Sequence, residues 1–190
     1  MIETPTGYFE ELWTASADPW DHAGRWYESR KYDLTVAALP NQRYGHAVEP
    51  ACGVGLVTAR LARRAEVVSA SDRFERAVTE ATSRCAGLDN VAVSRGDVRD
   101  GPPALPFDLA VLGEVLYYFD ANTVVDVVRR WHAACAPGGH VLLVHYRPRV
   151  DEHVLDGDDV HAIARDVLGS PAVELVDPLF RLDVFDAPSA

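Results

Sequence analysis

The feature that most constrains this fold is a regular alternation of short apolar segments with longer amphipathic segments after Pro40. This alternation predicts βαβ units, which build a mostly parallel sheet with right-handed crossovers. A short turn at Asp177-Pro178 joins the last two apolar segments, so we expect these to pair antiparallel at one edge. The pattern predicts strands over residues 47–49, 66–70, 91–94, 107–113, 140–146, 172–176 and 180–185, and helices over residues 56–64, 73–86, 121–136 and 151–168. It is typical of a doubly wound, Rossmann-like α/β sheet, which binds its ligand beyond the carboxyl ends of the strands.

The first 40 residues differ from the rest of the chain because they are rich in aromatic side chains. They predict two helical pieces on either side of Asp18-Pro19-Trp20, and Pro40 ends the second piece. We therefore expect a helical segment over residues 1–40 and a ligand-binding domain over residues 41–190, together forming one compact domain.

Charge and cysteine content exclude several classes of partner. The formal net charge is -11, and no Lys/Arg-rich stretch offsets it, so nucleic acid is not an expected partner. Cys52, Cys85 and Cys135 lie far apart without a CxxC pair, which argues against a disulfide framework or a metal site and fits a reducing compartment. Residues 1–7 lack a signal-peptide pattern, and no apolar run reaches about 18 residues. We expect a cytoplasmic protein with no membrane partner, whose oligomeric state the sequence leaves open.

The first predicted strand runs into a glycine-containing turn, Glu49-Pro50-Ala51-Cys52-Gly53-Val54-Gly55. Gly53 and Gly55 let the backbone turn tightly and approach a ligand closely, because no side chain stands in the way. A dinucleotide site needs a further glycine or alanine near Thr58, and that residue is missing. Glu49 also disfavours a pyrophosphate and suits a ligand with an ammonium group. The turn is compatible with a cofactor loop or with an ordinary strand-to-helix turn.

Acidic residues follow the next three strands as well. Asp72 lies about 20 residues after the glycine turn, where a carboxylate accepts both hydroxyls of a ribose or, alternatively, caps a helix. Asp97 follows a glycine and is placed to accept a hydrogen bond from an adenine amine or to serve as a turn residue. Glu114 precedes Tyr117 and Tyr118, whose rings either lie beside the ligand or pack the loop onto the core. Such positions at successive strand ends of one sheet predict a ligand site.

Three further runs carry a resemblance to a known family, namely Asp18-Pro19-Trp20, Trp26-Tyr27-Glu28-Ser29-Arg30-Lys31 and Gly113-Glu114-Val115-Leu116-Tyr117-Tyr118. With the glycine and acid positions, they resemble the class I S-adenosylmethionine-dependent methyltransferases, and more closely the nodulation-protein-S group of that superfamily. Members of that group N-methylate the deacetylated terminal sugar of chitin oligosaccharides. The resemblance implies S-adenosylmethionine as cofactor, a seven-stranded sheet in the order 3-2-1-4-5-7-6, and an N-terminal segment that folds over the cleft as a lid.

The resemblance also implies a role for each matching position. The glycine loop is expected to hold the amino-acid end of the cofactor, Asp72 the ribose, Asp97 with its neighbour the adenine, and Glu114 the region of the methyl group. The implied cofactor-binding residues are Glu49, Ala51, Gly53, Gly55, Asp72, Arg73, Asp97, Val98, Glu114, Tyr27 and Lys31. The implied acceptor-binding residues are Trp20, Tyr117 and Tyr118.

One position departs from the family pattern. Ala51 stands where the family has the first glycine of the cofactor loop, and Pro50 precedes it where an aliphatic residue is common. An alanine fits without strain only if its φ is negative, since a positive φ there costs about 1 to 3 kcal/mol.

Methyl transfer is an in-line displacement, so alignment of the acceptor is the enzyme's main task. Glu114 is the first candidate to take the acceptor's proton or to orient an ammonium group, and His145 near the end of the fifth strand is the second. A lone histidine on a strand is more often packed or solvated than catalytic. We expect a small-molecule or sugar acceptor, with N-methylation favoured over O-methylation. Two alternatives stay open: a nucleotide- or NAD-dependent enzyme on a similar sheet, and a methyltransferase-like binding module without cofactor.

Overall fold

The computed structural model describes residues 3–189 and confirms the α/β class. Its α-helices are α1 (Thr6–Ala15), α2 (Trp26–Ala37), α3 (Leu56–Leu61), α4 (Glu75–Arg84), α5 (Ala121–Ala134) and α6 (Gly157–Leu168). Its strands are β1 (Tyr44–Pro50), β2 (Ala65–Asp72), β3 (Val91–Arg95), β4 (Phe107–Gly113), β5 (Cys135–Tyr146), β6 (Val173–Val176) and β7 (Phe180–Asp186). Short 3₁₀ helices cover Val98–Asp100 and Leu116–Tyr118.

The strands form one sheet in the order β3-β2-β1-β4-β5-β7-β6. β2 pairs in parallel with both β1 and β3, and β4 pairs in parallel with β5. β7 pairs antiparallel with both β5 and β6. The structure thus confirms the mostly parallel sheet, its strand order and its antiparallel edge. Within residues 3–189, no helix combines the length and the apolar character that crossing a bilayer requires.

Contacts divide the chain into two compact units, residues 5–97 and residues 98–189 with residues 3 and 4. The N-terminal unit contains α1 to α4 and β1 to β3. Ala47 and Val48 of β1 and Val68 of β2 are almost fully buried, which is typical of a parallel strand covered on both faces. Helix α4 buries only the small side chains Ala77 and Ala81, so neighbouring backbone can approach it closely.

The C-terminal unit contains β4 to β7, α5 and α6. Its core is built from aliphatic side chains of the central strands, and Leu109, Leu142 and Leu182 have no exposed surface. Helix α5 is amphipathic, and Asp120 caps it by accepting a hydrogen bond from Thr123 N at 2.9 Å. These elements end in loops that carry Glu114 and the residues after β5.

The two largest differences between predicted and observed boundaries lie at the starts of α6 and β5. The helix predicted over residues 151–168 begins only at Gly157, because Asp156 and Asp159 form a capping box at that point. Gly157 also lies against β5, since a Cβ there would come within 2.2 Å of Tyr146 O. Residues 151–155 therefore precede the helix as a loop. The strand predicted from residue 140 begins at Cys135, which pairs with Phe107 of β4.

Candidate functional site

The turn after β1 has the tight backbone that its glycines predicted. Cys52 N donates to Ser71 O and Gly55 N donates to Cys52 O, each at 2.9 Å. Three residues of the turn have a positive φ: Ala51 at 57°, Gly53 at 53° and Gly55 at 75°. Ala51 therefore adopts a left-handed conformation that favours glycine, and the strain of about 1 to 3 kcal/mol applies to it.

The two glycines of this turn serve different purposes. A Cβ on Gly55 would lie 3.0 Å from both Cα and Cβ of Ala81, so this position lets the turn pack against α4. A Cβ on Gly53 would meet nothing within 4 Å, so the space beside it is open. Gly55 is explained by packing, whereas Gly53 provides room for a ligand next to the turn.

Glu49, near the end of β1, is 6% exposed, and its Oε2 accepts a hydrogen bond from Thr58 Oγ1 at 2.5 Å. Burial raises the pKa of Glu49 to about 8; the Thr58 bond opposes this rise and the charge of Asp72 adds to it. The carboxyl is thus mostly protonated at neutral pH, and a cation beside it favours its ionised form. Thr58 occupies the position where a dinucleotide motif needs a small residue, and no sequence pattern assigned a role to its hydroxyl.

Asp72, the last residue of β2, connects two turns of the N-terminal unit. Its Oδ2 accepts from Gly53 N and its Oδ1 accepts from Phe74 N, each at 3.0 Å. Burial raises the pKa of Asp72, and the backbone hydrogen bonds partly offset this effect. Helix α4 begins only at Glu75, with Phe74 at its N-cap position, so the N-cap alternative for Asp72 is wrong.

Asp97 and Val98 follow β3. The Oδ2 atom of Asp97 lies 3.6 Å from Nε of Arg73, so a guanidinium accompanies this carboxylate. Arg73 in turn lies over the ring of Phe74 at 5.3 Å from its centroid. Val98 belongs to the C-terminal unit, where it is buried and its carbonyl accepts a hydrogen bond from Trp131 Nε1 at 3.0 Å.

Trp20 lies in the aromatic segment between α1 and α2. Its ring stacks on His22 at 5.5 Å and meets the ring of Trp13 edge-on at 5.7 Å. Phe9 of α1 contacts Phe74 at 5.8 Å, which links the first helix to the turn after β2. The segment is therefore packed within the N-terminal unit, and its role as a lid stays a prediction.

Lys31 of α2 is a buried cation. It is 1% exposed, and its Nζ lies 2.7 Å from Oε2 of Glu28. The same ammonium lies 5.1 Å from the ring centroids of both Tyr27 and Tyr32. Two tyrosine faces and one carboxylate thus stabilise its charge. The contacts of Tyr27 and Lys31 with a cofactor stay a prediction.

Glu114 follows β4 in the C-terminal unit and is one of the few non-glycine residues with a positive φ, at 52°. Its backbone N donates to Val144 O at 2.9 Å. Its Oε2 accepts from the Tyr117 hydroxyl at 2.7 Å and from Tyr146 N at 3.0 Å. The carboxylate is thus fixed in direction, and a strained residue held in this way is typical of a functional position.

Tyr117 and Tyr118 form an aromatic group with His153. The rings of Tyr117 and His153 stack at 3.8 Å with 12° between their planes, and Tyr118 meets His153 edge-on at 4.9 Å. Val154 N and Leu155 N both donate to Tyr117 O, at 3.0 and 3.1 Å. The loop before α6 is therefore attached to the predicted acceptor-binding tyrosines.

His145, the second predicted proton acceptor, is fully buried, and both its ring nitrogens are engaged. Its Nε2 accepts from Leu116 N at 3.4 Å, so its proton lies on Nδ1, which donates to His161 Nε2 at 3.2 Å. His161 Nδ1 then donates to Asp183 Oδ2 at 2.8 Å. With no ring nitrogen left to take a proton, His145 fits the packed alternative better than the catalytic one.

The predicted residues thus fall into two sets. The N-terminal unit brings together Glu49, Ala51, Gly53, Asp72 and the Arg73–Asp97 pair, and the C-terminal unit brings together Glu114, Tyr117 and Tyr118. Thr58 and His153 were missed, because only the fold brings Thr58 to Glu49 and the ring of His153 to Tyr117 and Tyr118. Across residues 3–189, no group of three or more His, Cys, Asp or Glu side chains is arranged to hold a metal ion.

Comparison with known proteins identifies the family of this chain. The profile of a family described as a methyltransferase domain matches residues 47–139. A protein of known structure from Pseudomonas syringae, provisionally described as a methyltransferase, is 34% identical; the match covers 85% of this chain and 99% of that chain, with a TM-score of 0.72.

Nodulation protein S of Sinorhizobium fredii is 28% identical over 130 residues, which cover 67% of this chain and 60% of the relative. The chain therefore spans less than two thirds of the length of that protein. The N-methyltransferase NodS from Bradyrhizobium japonicum WM9, solved with S-adenosyl-L-homocysteine, superposes with a TM-score of 0.82 at 23% identity; the match covers 96% of this chain and 98% of that chain. The same fold is therefore shared along nearly the whole chain.

These matches overturn the alternative of a nucleotide- or NAD-dependent enzyme and confirm the resemblance read from the sequence. The chain belongs to the class I S-adenosylmethionine-dependent methyltransferases, in the group that resembles nodulation protein S.

Proposed function

We propose that this protein transfers the methyl group of S-adenosylmethionine to the nitrogen of a small amine or amino-sugar acceptor. The observation that carries the proposal is the pair of buried carboxyls, Glu49 and Asp72, at the ends of β1 and β2 beside the open turn at Gly53. Burial raises the pKa of such a carboxyl, and a nearby ammonium group stabilises its ionised form. The cofactor carries an ammonium group at its amino-acid end.

The residues of the N-terminal unit fit the other parts of the cofactor as well. Each oxygen of Asp72 accepts one hydrogen bond from a backbone N–H. An ionised carboxylate has about four acceptor sites, so Asp72 is still able to accept hydrogen bonds from ribose hydroxyls. Asp97 is the candidate acceptor for the adenine amine, and Arg73 holds its carboxylate in place. Gly53 leaves room next to the turn. The cofactor supplies an activated methyl group on a sulfonium.

The residues of the C-terminal unit are assigned to the acceptor. Tyr117 and the backbone of Tyr146 fix the Glu114 carboxylate, so it accepts a hydrogen bond from the attacking amine and directs its lone pair. The ring faces of Tyr117 and Tyr118 suit a sugar ring or a flat amine. His145 holds Leu116 N in this proposal and takes no proton.

Two considerations favour nitrogen over oxygen as the methylated atom. An amine attacks with its own neutral lone pair, whereas a hydroxyl must also lose its proton to a base. In addition, the solved relative from Bradyrhizobium japonicum is described as an N-methyltransferase.

The test is a mass-spectrometric screen with isotopically labelled cofactor. D-glucosamine and a panel of small amines are the candidate acceptors, and D-glucose is the matched control because it has a hydroxyl in place of the amine. We expect one labelled methyl group on an amine and none on the glucose. Transfer only to hydroxyl compounds would refute N-methylation, and no transfer to any compound would refute the activity.

One observation favours a second candidate, a binding module that has lost its cofactor. Ala51 strains the turn at the position where the family has a glycine. Calorimetric titration separates the two, because the module takes up no S-adenosylhomocysteine even at millimolar concentration, whereas the enzyme binds it.

A further inference from the structure

His153 lies in the loop between β5 and α6, in a segment that the sequence assigned to a helix. Its backbone N donates to Val150 O at 3.1 Å, and the two residues after it are bonded to Tyr117 O. The loop is therefore fixed on both sides of the ring. His153 is 8% exposed, so it is part of the packed structure of the C-terminal unit and not a surface side chain.

The ring of His153 lies beside the side chains assigned to the acceptor. It stacks on Tyr117, whose hydroxyl donates to Glu114, and it meets the ring of Tyr118. The negative charge of Glu114 acts on the ring, although the loss of hydration dominates and lowers the pKa of His153. The imidazole is therefore neutral at neutral pH and offers a lone pair.

One ring nitrogen of His153 has no partner. Nδ1 is buried and forms no hydrogen bond with any of residues 3–189. A buried polar atom in this state is costly, and a native structure usually pairs such an atom with protein, water or ligand. The nearby histidines differ, since the ring nitrogens of His145 and His161 bond to each other, to Leu116 N and to Asp183.

We infer that His153 belongs to the acceptor site and that its Nδ1 accepts a hydrogen bond from an N–H or O–H group of the methyl acceptor. The inference rests on the proposed function, because it places the acceptor beside Glu114. Glu114 then accepts from one donor group of the acceptor, and His153 accepts from a second one. An acceptor with two neighbouring donor groups is bound better than one with a single group, which makes His153 a residue that determines specificity.

The test compares His153→Phe and His153→Asn in steady-state methyl transfer to D-glucosamine. Phenylalanine keeps a flat ring for stacking on Tyr117 but removes the nitrogen, so we expect KM for the acceptor to rise about tenfold, as for the loss of one hydrogen bond. The affinity for S-adenosylhomocysteine should not change. Asparagine places an amide oxygen near the former Nδ1 and should restore part of the loss. His46→Phe is the matched control, because His46 bonds to Ser69 in the N-terminal unit.

A second measurement does not depend on the variants. In the wild-type protein, the nitrogen NMR signal of His153 Nδ1 should shift when D-glucosamine is added in the presence of S-adenosylhomocysteine, as expected for a nitrogen that gains a hydrogen bond. Normal KM in His153→Phe, or an unchanged signal with an acceptor that the wild type methylates, overturns the inference and leaves the proposed function intact. A wild-type protein that methylates no acceptor overturns both.

Discussion

Glu49→Gln should remove a pH dependence from cofactor affinity. In the free protein the pKa of Glu49 is about 8, but an ammonium group is bound by the ionised form. At pH 7, ionising this carboxyl costs about one pKa unit, which corresponds to about 1.4 kcal/mol or a tenfold weaker affinity. Well above pH 8 this cost vanishes. We therefore expect the Kd of the wild-type protein to fall about tenfold between pH 7 and pH 9, relative to the variant.

The assay is calorimetric titration with S-adenosylhomocysteine over this pH range. The ammonium group of the ligand also titrates there, but it does so equally for both proteins, so the ratio of their Kd values isolates Glu49. Glutamine keeps an oxygen that accepts the Thr58 hydrogen bond. Titration at pH 7 in buffers of different ionisation enthalpy should show close to one additional proton released by the wild type. A ratio of Kd values that is constant with pH would refute the assignment of Glu49 to the ammonium group.

Glu49 also affects how the stability of the cofactor-free protein depends on pH. Its pKa in the folded state lies above the unfolded value of 4.5, so the folded protein binds the proton more tightly. The stability that Glu49 contributes is fully present below pH 4.5 and is lost as pH rises through about 8. Glu49→Gln should therefore be more stable than the wild type at pH 8, by a few kcal/mol in urea unfolding.

Three further predictions test single residues. Ala51→Gly should raise Tm by about 2 to 4 °C, because relief of the left-handed strain exceeds the entropy cost of glycine by about 1 kcal/mol; a lower Tm in thermal melts would contradict this. The Glu114→Gln variant should bind S-adenosylhomocysteine normally, but its kcat should be at least tenfold lower than that of the wild type. A kcat equal to that of the wild type would show that Glu114 takes no part in methyl transfer. Asp183→Asn should lose stability that the wild type has above pH 3.8. Burial raises the pKa of Asp183, but hydrogen bonds from His161 and Arg165 outweigh it and lower the pKa to about 2, so about 2 kcal/mol disappears as pH falls through that value. Parallel melts from pH 2 to pH 6 compare the two proteins.

The sequence predicted the strands because they depend on periodic patterns that the chain itself carries, whereas the order of the strands in the sheet was implied by the family resemblance. The alternation of apolar and amphipathic segments indicated each of the strands β1 to β7, and the acids and glycines after them were found at strand ends. The start of the last helix was predicted less accurately, because a capping box decides it. The capping box of Asp156 and Asp159 starts α6 six residues later than hydrophobic periodicity alone suggested.

Side-chain roles were harder to predict, because they depend on partners that are distant in sequence. His145 looked like a lone histidine, and only the fold brings His161 and Asp183 to it. His153 gave no signal at all, since its partners Tyr117 and Tyr118 lie on the 3₁₀ helix after β4, with α5 and β5 between them and His153 in the sequence. The sequence identifies which residue types are present, whereas the folded chain decides which of their polar atoms are already bonded.

Ala51 and Glu114 show how backbone strain is to be interpreted in this protein. Both have a positive φ directly after a strand, and both are held by hydrogen bonds of neighbouring backbone. At position 51 the side chain is only a methyl group, so glycine supplies the same backbone without strain and the turn should keep its purpose. At position 114 the side chain carries the carboxylate that Tyr117 and Tyr146 fix, so relief of strain by glycine removes the group that we propose to act on the acceptor. Cofactor binding therefore does not require the strain at Ala51, whereas the strain at Glu114 is a cost of holding a carboxylate at the proposed acceptor site.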